Sequence, residues 1–469
     1  MKHHLKTLIV FMLLVFYASS CTTFKAQVRN NPENEFPETF SLYTTEEESP
    51  ERWWEVFNDR ELNALVEEAL SGNFSIQAAW ARLDQARALA VQAGSGIYPD
   101  LAGTAGASQG RKRTENGSAN TQTIKDYSLG LISSYELDLW GRVRSGREAA
   151  RLDVPATRED VNAAAMTVAS EVTNRWANII SQRIQKALLE KQLQINKTYL
   201  ELVELRFQNA MVSALDVYQQ RQIVEQVGAR IPLIEAQELL FMHELTLLLG
   251  KPPQTPVKIT RNTLPLPVSI PATGLPADLL SSRPDIRSAG LRLYAADWQV
   301  AAARANRLPR ISLTASASYG SGEWSMLFNN WLLSLAANLT APIFDGNRLA
   351  AEVDRTRAVV DEQLSAYHRT VVTAVKEVED ALVSEEKQRQ HIKALEAEIA
   401  VAREALNQAR DRYLKGLNDY LPVLTQLLSV QGLERDLIQR HTELLIYRVN
   451  LHRALGGTWT DGLKPDAKF

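Results

Sequence analysis

The chain has 469 residues, with 52 Lys and Arg against 55 Asp and Glu and a formal net charge of −3. That balance lacks the basic footprint nucleic-acid binding needs, so nucleic acid is not expected as a partner. A single cysteine excludes an internal disulfide framework, and the length allows two or three domains or one elongated body.

Residues 1–20 carry Lys2 and Lys6, then an apolar core from Leu8 to Tyr17, then Ala18, Ser19 and Ser20. The core is about half the ~20 residues a spanning helix needs, and the order of charge, apolar core and small residues is that of a secretory signal peptide. Cys21 follows at once. "ASSC" resembles a bacterial lipobox, which makes Cys21 the expected lipid attachment site; a chance cysteine after an ordinary signal is the competing reading. Ala18 stands where that motif usually has Leu. Thr22 is not the Asp of an inner-membrane retention signal, so sorting to an outer membrane is expected. Without residues 1–20 the formal charge is −5. Residues 21–50 read as a lipidated N-terminal tether. No later apolar run reaches spanning length, so a membrane crossing by the mature chain would have to use strands.

A first unit is expected over residues 51–250, with strands at about 101–113 and 122–140 and helices at about 142–209 and 214–250. "LAGTAGAS" from Leu101 alternates weakly. In "YSLGLISSYELDLW", Tyr127, Leu129, Leu131, Tyr135, Leu137 and Leu139 share one face, with Ser128, Gly130, Ser134, Glu136 and Asp138 opposite. From Arg142 to about Asn209 the helical pattern is interrupted only by Pro155, and a continuous helix of that length would measure ~100 Å at 1.5 Å per residue. Two adjacent stripes are read along it, Leu188/Ile195/Tyr199/Leu202 and Leu189/Leu193/Leu200/Val203/Phe207. A helix with two seams packs on both sides, as in a closed ring of helices.

Residues 251–276 hold seven prolines from Pro252 to Pro276, which cannot continue a helix, and read as a linker or equatorial segment. A second unit is expected over 277–456, with strands at about 309–321 and 330–345 and helices at about 347–414 and 420–455. "ISLTASASYG" puts Ile311, Leu313, Ala315, Ala317 and Tyr319 on one face and Ser312, Thr314, Ser316, Ser318 and Gly320 on the other; "WLLSLAANLTAPIF" from Trp331 follows. Ile392, Leu395, Ile399, Ala402, Leu406, Ala409 and Tyr413 recur at spacings of three and four, a seam for another helix. Residues 457–469 read as a tail.

The two units are copies of one another. At an offset of 206, Glu171 and Val172 fall on Glu377 and Val378, "RFQNAMVSALDV" from Arg206 falls on "RYLKGLNDYLPV" from Arg412, and "LLG" ending at Gly250 falls on "ALG" ending at Gly456. "DLWGR" pairs with "IFDGN" at 205 and "YPDL" with "LPRI" at 210. The strand alternation suits either a transmembrane barrel or a soluble half-buried sheet, and the helix length favours the first. Four strands cannot sit in lipid with open edges, and eight from a dimer leave an interior filled by side chains. Twelve from a trimer form the smallest assembly expected to leave a bore.

Together these features resemble the outer-membrane efflux-channel family (TolC- and OprM-like), in its lipoprotein branch. "WWEVFNDRELNALVEEALSGNFSIQAAWARLDQARALA" is similar to that branch's N-terminal helical region, and "LLSSRPDIRSAGLRLYAADWQVAAARANRLP", around Arg283, Pro284 and Asp285, to its mid-chain signature. The resemblance implies a fold that is mainly α with a β-barrel portion. Four transmembrane strands and long coiled-coil helices come from each chain. The homotrimer forms a 12-stranded barrel in outer-membrane lipid, continued by an α-helical periplasmic tunnel. It also implies two partners, a periplasmic adaptor (membrane fusion protein) and an inner-membrane efflux pump, and no cofactor.

In that family the helix–helix turns meet the adaptor and close the entrance. Here they run over 209–216 and 416–422, and the resemblance points to Ala210, Ser213, Gly416 and Asp419 as adaptor contacts. Ordinary turn chemistry explains the same residue types. Aspartates that ring the closed entrance in similar channels are replaced here by Pro422 and Thr425, so Asp216, Asp419 and Thr425 are the candidates for a periplasmic gate. The expected function is a passive outer-membrane conduit for small toxic compounds, driven by the partner pump. A protein-secretion channel is the alternative, and a lipid-anchored coiled-coil scaffold without a pore is the reading of another class. Seven scattered histidines with no metal-ligand spacing, and no nucleophile elbow or phosphate loop, argue against an enzyme.

Overall fold

The duplication appears element by element in the computed structural model, which describes residues 24, 39–41, 52–115, 119–265, 270–271 and 273–465. The signal segment, Cys21 and nearly all of the tether lie outside the described residues. A 3-10 turn at Trp53–Phe57 precedes helices α1 (Arg60–Gly72) and α2 (Phe74–Ser95). Strands β1 (Asp100–Glu115) and β2 (Ala119–Leu137) follow, then helices α3 (Arg142–Gln208) and α4 (Ala214–Leu248). The second copy holds α5 (Leu279–Ser282), α6 (Pro284–Ala305), β3 (Arg310–Ser321), β4 (Trp331–Thr340), α7 (Arg348–Leu414) and α8 (Leu421–Leu455). Lengths match between the copies: 22 residues in α2 and α6, 67 in α3 and α7, 35 in α4 and α8. Among the described residues no helix is long and apolar enough to cross a membrane.

By contacts the chain forms two compact units. Among the described residues, one comprises 82–158 and 288–368, the other 52–81, 159–287 and 369–465.

The first unit carries the sheet, an antiparallel meander in the order β1-β2-β3-β4. Its register aligns Leu129 with Tyr319 and Ala105, and Ala317 with Leu131 and Leu333. Because side chains alternate, every odd position shares one face. That face holds Leu101, Leu129, Leu131, Ala317, Leu333 and Leu335, while Thr104, Ser128, Ser316, Ser318 and Ser334 share the other. Leu335 is 82% exposed and Leu101 71%, so the apolar face lacks a cover within the described chain. Aromatics gather at the hairpin end of the same face. Tyr127 meets Trp324 edge-on at 5.7 Å, and Tyr319 meets Phe328 at 5.4 Å.

Two strands stop short of the alternation. Leu139 leaves the β2 face because Asp138 turns its carboxylate onto the first amides of α3, accepting from Val143 N at 3.1 Å and Arg144 N at 2.9 Å. β4 ends at Thr340, two residues before Pro342, which has no amide hydrogen for a ladder. In the same unit, Leu293, Ala296 and Val300 of α6 pack on Val360 of α7.

The second unit buries Trp53, Trp54 and Phe57 with Leu62, Val66, Trp176, Ile179, Ile180, Leu245 and Val449. The Pro-containing segment is tied down by charge-assisted bonds: Thr260 N donates to Glu61 at 2.7 Å, and the Arg183 guanidinium donates to the Ile259 carbonyl. Gly250 sits at φ +71°, where a Cβ would meet the Gly72 carbonyl oxygen at 2.1 Å, so this helix exit admits no side chain. Arg283 of the mid-chain signature bonds Asp285, Glu377 and the Ala454 carbonyl. Arg448 makes a buried bidentate pair with Glu385, at 2.6 and 3.0 Å, and Arg389 reaches the same carboxylate.

His452 stacks on Trp53 with ring centroids 5.5 Å apart. Burial, and then the Arg448 charge, push its pKa down to about 3. The unfolded chain, with an imidazole near 6.5, binds a proton that the native state refuses. Stability therefore falls as pH drops below about 6.5 and stops falling near 3. Replacing His452 with Phe, which keeps a ring on Trp53, is expected to remove an acid destabilisation of about 1.4 kcal/mol per pH unit between pH 6 and 4. Thermal unfolding of the two proteins across that range checks it; parallel pH profiles would contradict it.

Candidate functional site

The helix–helix turns of the second unit are built alike. At the end of α3, Ala210 N donates to Phe207 O at 2.9 Å and Met211 N to Arg206 O at 2.9 Å. At the end of α7, Gly416 N donates to Tyr413 O at 3.0 Å and Leu417 N to Arg412 O at 2.9 Å. Each is a Schellman closure, in which a left-handed residue lets two amides satisfy the last helix carbonyls. The left-handed residues are Ala210 at φ +56° and Gly416 at φ +73°, 206 positions apart. Alanine bears a Cβ penalty there that glycine avoids.

The candidate residues take different roles around these turns. Ser213 is the N-cap of α4, and its hydroxyl accepts from Asp216 N while Asp216 accepts from Ser213 N at 2.9 Å, a reciprocal capping box. Asp216 is thus committed to holding its own helix start. Asp419 is exposed in the α7–α8 turn. Thr425 lies in the second turn of α8, exposed, with its hydroxyl on the Leu421 carbonyl at 2.9 Å. Ala210, Ser213, Gly416 and Asp419 are all exposed. Apolar side chains stand out at matched places in the two turns: Met211 and Leu215 in one, Leu417 and Leu421 in the other, each more than half exposed.

Behind the turns, α3, α4, α7 and α8 share one core of Leu189, Val203, Val217, Ile223, Tyr413, Tyr420, Val423 and Leu424. Of the stripes expected on α3, Leu189 and Val203 are in this core and Leu193, Tyr199, Leu200 and Leu202 pack against it. The most buried line of α3 is Leu189, Gln192, Asn196 and Val203, with Gln192 1% and Asn196 0% exposed, whereas Ile195 and Phe207 face outward. The two amides fit because they are paired. Tyr420 Oη donates to Gln220 Oε1 at 2.8 Å, and Gln220 Nε2 donates to Asn196 O at 2.8 Å. Asn196 Nδ2 donates to Gln431 Oε1 at 3.1 Å, Gln192 Nε2 to Gln431 O at 3.1 Å, and Arg435 to Gln192 Oε1 at 2.6 Å. The chain of bonds links α3, α4 and α8. Burial raises the Tyr420 hydroxyl far above the usual phenol range, so it remains a donor throughout physiological pH. Arg206 lies 4.3 Å from the Tyr413 ring centroid and donates to the Tyr413 carbonyl at 3.0 Å.

Reading apolar stripes passed over Gln192, Asn196, Gln220 and Gln431, because a seam position is looked for among Leu, Ile and Val. The signal was present in the heptad spacing: Leu189, Gln192, Asn196, Tyr199 and Val203 recur at three and four. Among the described residues no His, Cys, Asp and Glu group could hold a metal.

Replacing Gly416 with Ala is expected to destabilise the turn by about 1–2 kcal/mol, since only the backbone angle resists and there is open space for the Cβ. Ala210→Gly should shift stability the opposite way. Melting temperatures of the purified variants check the pair, and an unchanged Gly416→Ala protein would contradict the geometry.

Comparison with known proteins places this arrangement. A family model described as outer membrane efflux protein matches residues 65–251 and 275–457. The pyoverdine export outer membrane protein OpmQ of Pseudomonas aeruginosa is 33% identical over 414 residues, covering 87% of each chain. The solvent efflux pump outer membrane protein SrpC of Pseudomonas putida is 32% identical over 418 residues, again covering 87% of each. The solved outer-membrane channel OprN superposes with a TM-score of 0.86 at 26% identity, over 93% of this chain and 100% of that one.

Proposed function

Because the chain belongs to the outer membrane efflux protein family, a family of non-enzymatic outer-membrane conduits, we propose that it is the passive outer-membrane channel of a tripartite system that expels small toxic compounds. The observation that carries this reading is the sheet, with an apolar face, a hydroxyl-bearing face and two edges that have no partner among the described residues. Three copies joined edge to edge would turn the hydroxyl face toward a water-filled bore and the apolar face toward lipid. Cys21, outside the described residues, is the proposed lipid anchor.

An inner-membrane pump would supply the energy and a periplasmic adaptor the connection. The two turns are the proposed adaptor contacts, through Ala210, Ser213, Gly416 and Asp419. The exposed pairs Met211/Leu215 and Leu417/Leu421 support this, since matched apolar groups on a surface suit a partner. Of the proposed gate residues, Asp419 is the strongest. Asp216 is occupied by Ser213 and Thr425 carries no charge, while three Asp419 carboxylates about one axis would repel one another and attract cations. A pyoverdine exporter and a solvent-pump component stand at nearly equal identity, which supports efflux in general over any one cargo. The paired strands and the family speak against a scaffold without a pore.

Deleting the gene for this chain is expected to sensitise cells several-fold to exported compounds, and Leu417→Asp with Leu421→Asp to reproduce that loss while the protein still reaches the outer membrane. Growth inhibition and membrane fractionation read the result. Unchanged sensitivity in the deletion strain, with the candidate pumps active, would overturn the reading.

A further inference from the structure

The β1–β2 hairpin outruns the rest of the sheet. Pairing of β2 with β3 ends at Tyr127↔Ser321, yet β1 and β2 remain paired from Gln109↔Lys125 out to Glu115↔Ala119. Alternation places Lys125 and Arg111 on the odd face, the same face as Tyr127, Leu129 and Leu131, and both cations are exposed. Asp126, the acid next to Lys125 in the chain, falls on the opposite face, as does Lys112. Moving outward on this one surface, an apolar band gives way to aromatics and then to cations. Lys125 lies two residues beyond Tyr127 and Arg111, opposite Thr123, four beyond that level: about 7 and 13 Å along the strand.

Aromatic side chains mark the boundary between acyl chains and headgroups, so cations immediately past them stand at headgroup depth. The helices join the other strand ends, from Leu137 to Arg142 and from Thr340 to Arg348, so the hairpins point away from the periplasm. We propose that Arg111 and Lys125 form a binding site for the phosphorylated headgroup of an outer-leaflet lipid, whose acyl chains lie along the Leu129–Leu131 face. Charge complementarity selects the occupant. A guanidinium and an ammonium group on neighbouring strands match a headgroup with more than one phosphate, and arginine suits phosphate through its planar fork. A zwitterionic headgroup offers no comparable partner. The inference rests on the proposed barrel reading, because it requires the odd face to meet lipid.

The test uses the full-length protein in detergent, titrated with fluorescent bis-phosphorylated lipid A, with the same lipid after phosphate removal, and with inorganic phosphate as competitor. The wild type is expected to bind the phosphorylated lipid in preference to the dephosphorylated one, and free phosphate to compete weakly. Arg111→Gln combined with Lys125→Gln should weaken binding about 25-fold, at roughly fivefold per cation lost. Lys112→Gln, on the other face, should leave it unchanged. Equal affinity of the double variant and the wild type, or equal binding of the dephosphorylated lipid, overturns the proposal. Brominated acyl chains in phosphatidylcholine vesicles separate the two levels of the argument. They should quench fluorescence that disappears when Trp324 and Trp331 become Phe. Quenching with unaltered lipid A binding in the double variant sinks the headgroup site alone; absence of that quenching sinks the barrel reading and the site with it.

Discussion

Hydrocarbon offers a backbone amide nothing to bond with, and that one fact organises this molecule. Four strands in meander order leave one edge of β1 and one edge of β4 without partners among the described residues. In water such edges invite aggregation; in a membrane each unsatisfied group costs several kcal/mol. A chain of an outer-membrane family must therefore close the sheet with something, and the cyclic order β1-β2-β3-β4 lets β4 of one copy meet β1 of the next. The alternation of apolar and hydroxyl side chains gives the closed form a lipid side and a water side.

Symmetric closure also sets the terms for the helices. Each copy contributes two helices of 67 residues and two of 35, and helices of that length slide in register unless something fixes them. In the second unit the fixing is polar. The chain from Tyr420 through Gln220 and Asn196 to Gln431 is specific to one alignment of α3, α4 and α8, because a shift by one turn would strand buried amides. The Arg448–Glu385 pair is a second such key, buried on both sides. Truncating one partner of a pair like this leaves a charge without compensation. A passive conduit has no reacting atoms to position, so its polar interior serves alignment.

The duplicated layout was legible because long-range self-similarity survives sequence drift. Ala210 and Gly416 share a backbone angle while sharing no side-chain class. The strands were legible from "ISLTASASYG", where hydroxyl and apolar residues alternate without a break. Their ends were less so. Leu139 continues the apolar pattern of β2 by type, yet Asp138 spends its carboxylate on the start of α3 and turns the chain away. The α3 seam holds more than its apolar stripes, since the hydrogen-bonded amides of Gln192 and Asn196 are buried among Leu189, Tyr199 and Val203, and residue type alone does not mark an amide as buried. Of the candidate gate residues, Asp216 is held by Ser213 in a capping box, which the spacing Ser213-Ala-Leu-Asp216 already signals in the sequence. Cys21 and nearly all of the tether lie outside the described residues, and the lipobox-like "ASSC" is what marks Cys21.

The central claim is that the sheet is a fraction of a barrel and that three copies complete it. The native mass of the protein, extracted from membranes in mild detergent, tests this most directly, together with hydrogen exchange of the β1 and β4 edge amides in the same sample. A particle of three chains with both edges protected is the outcome predicted. A single-chain particle whose edge amides exchange at the rate of open backbone would contradict it.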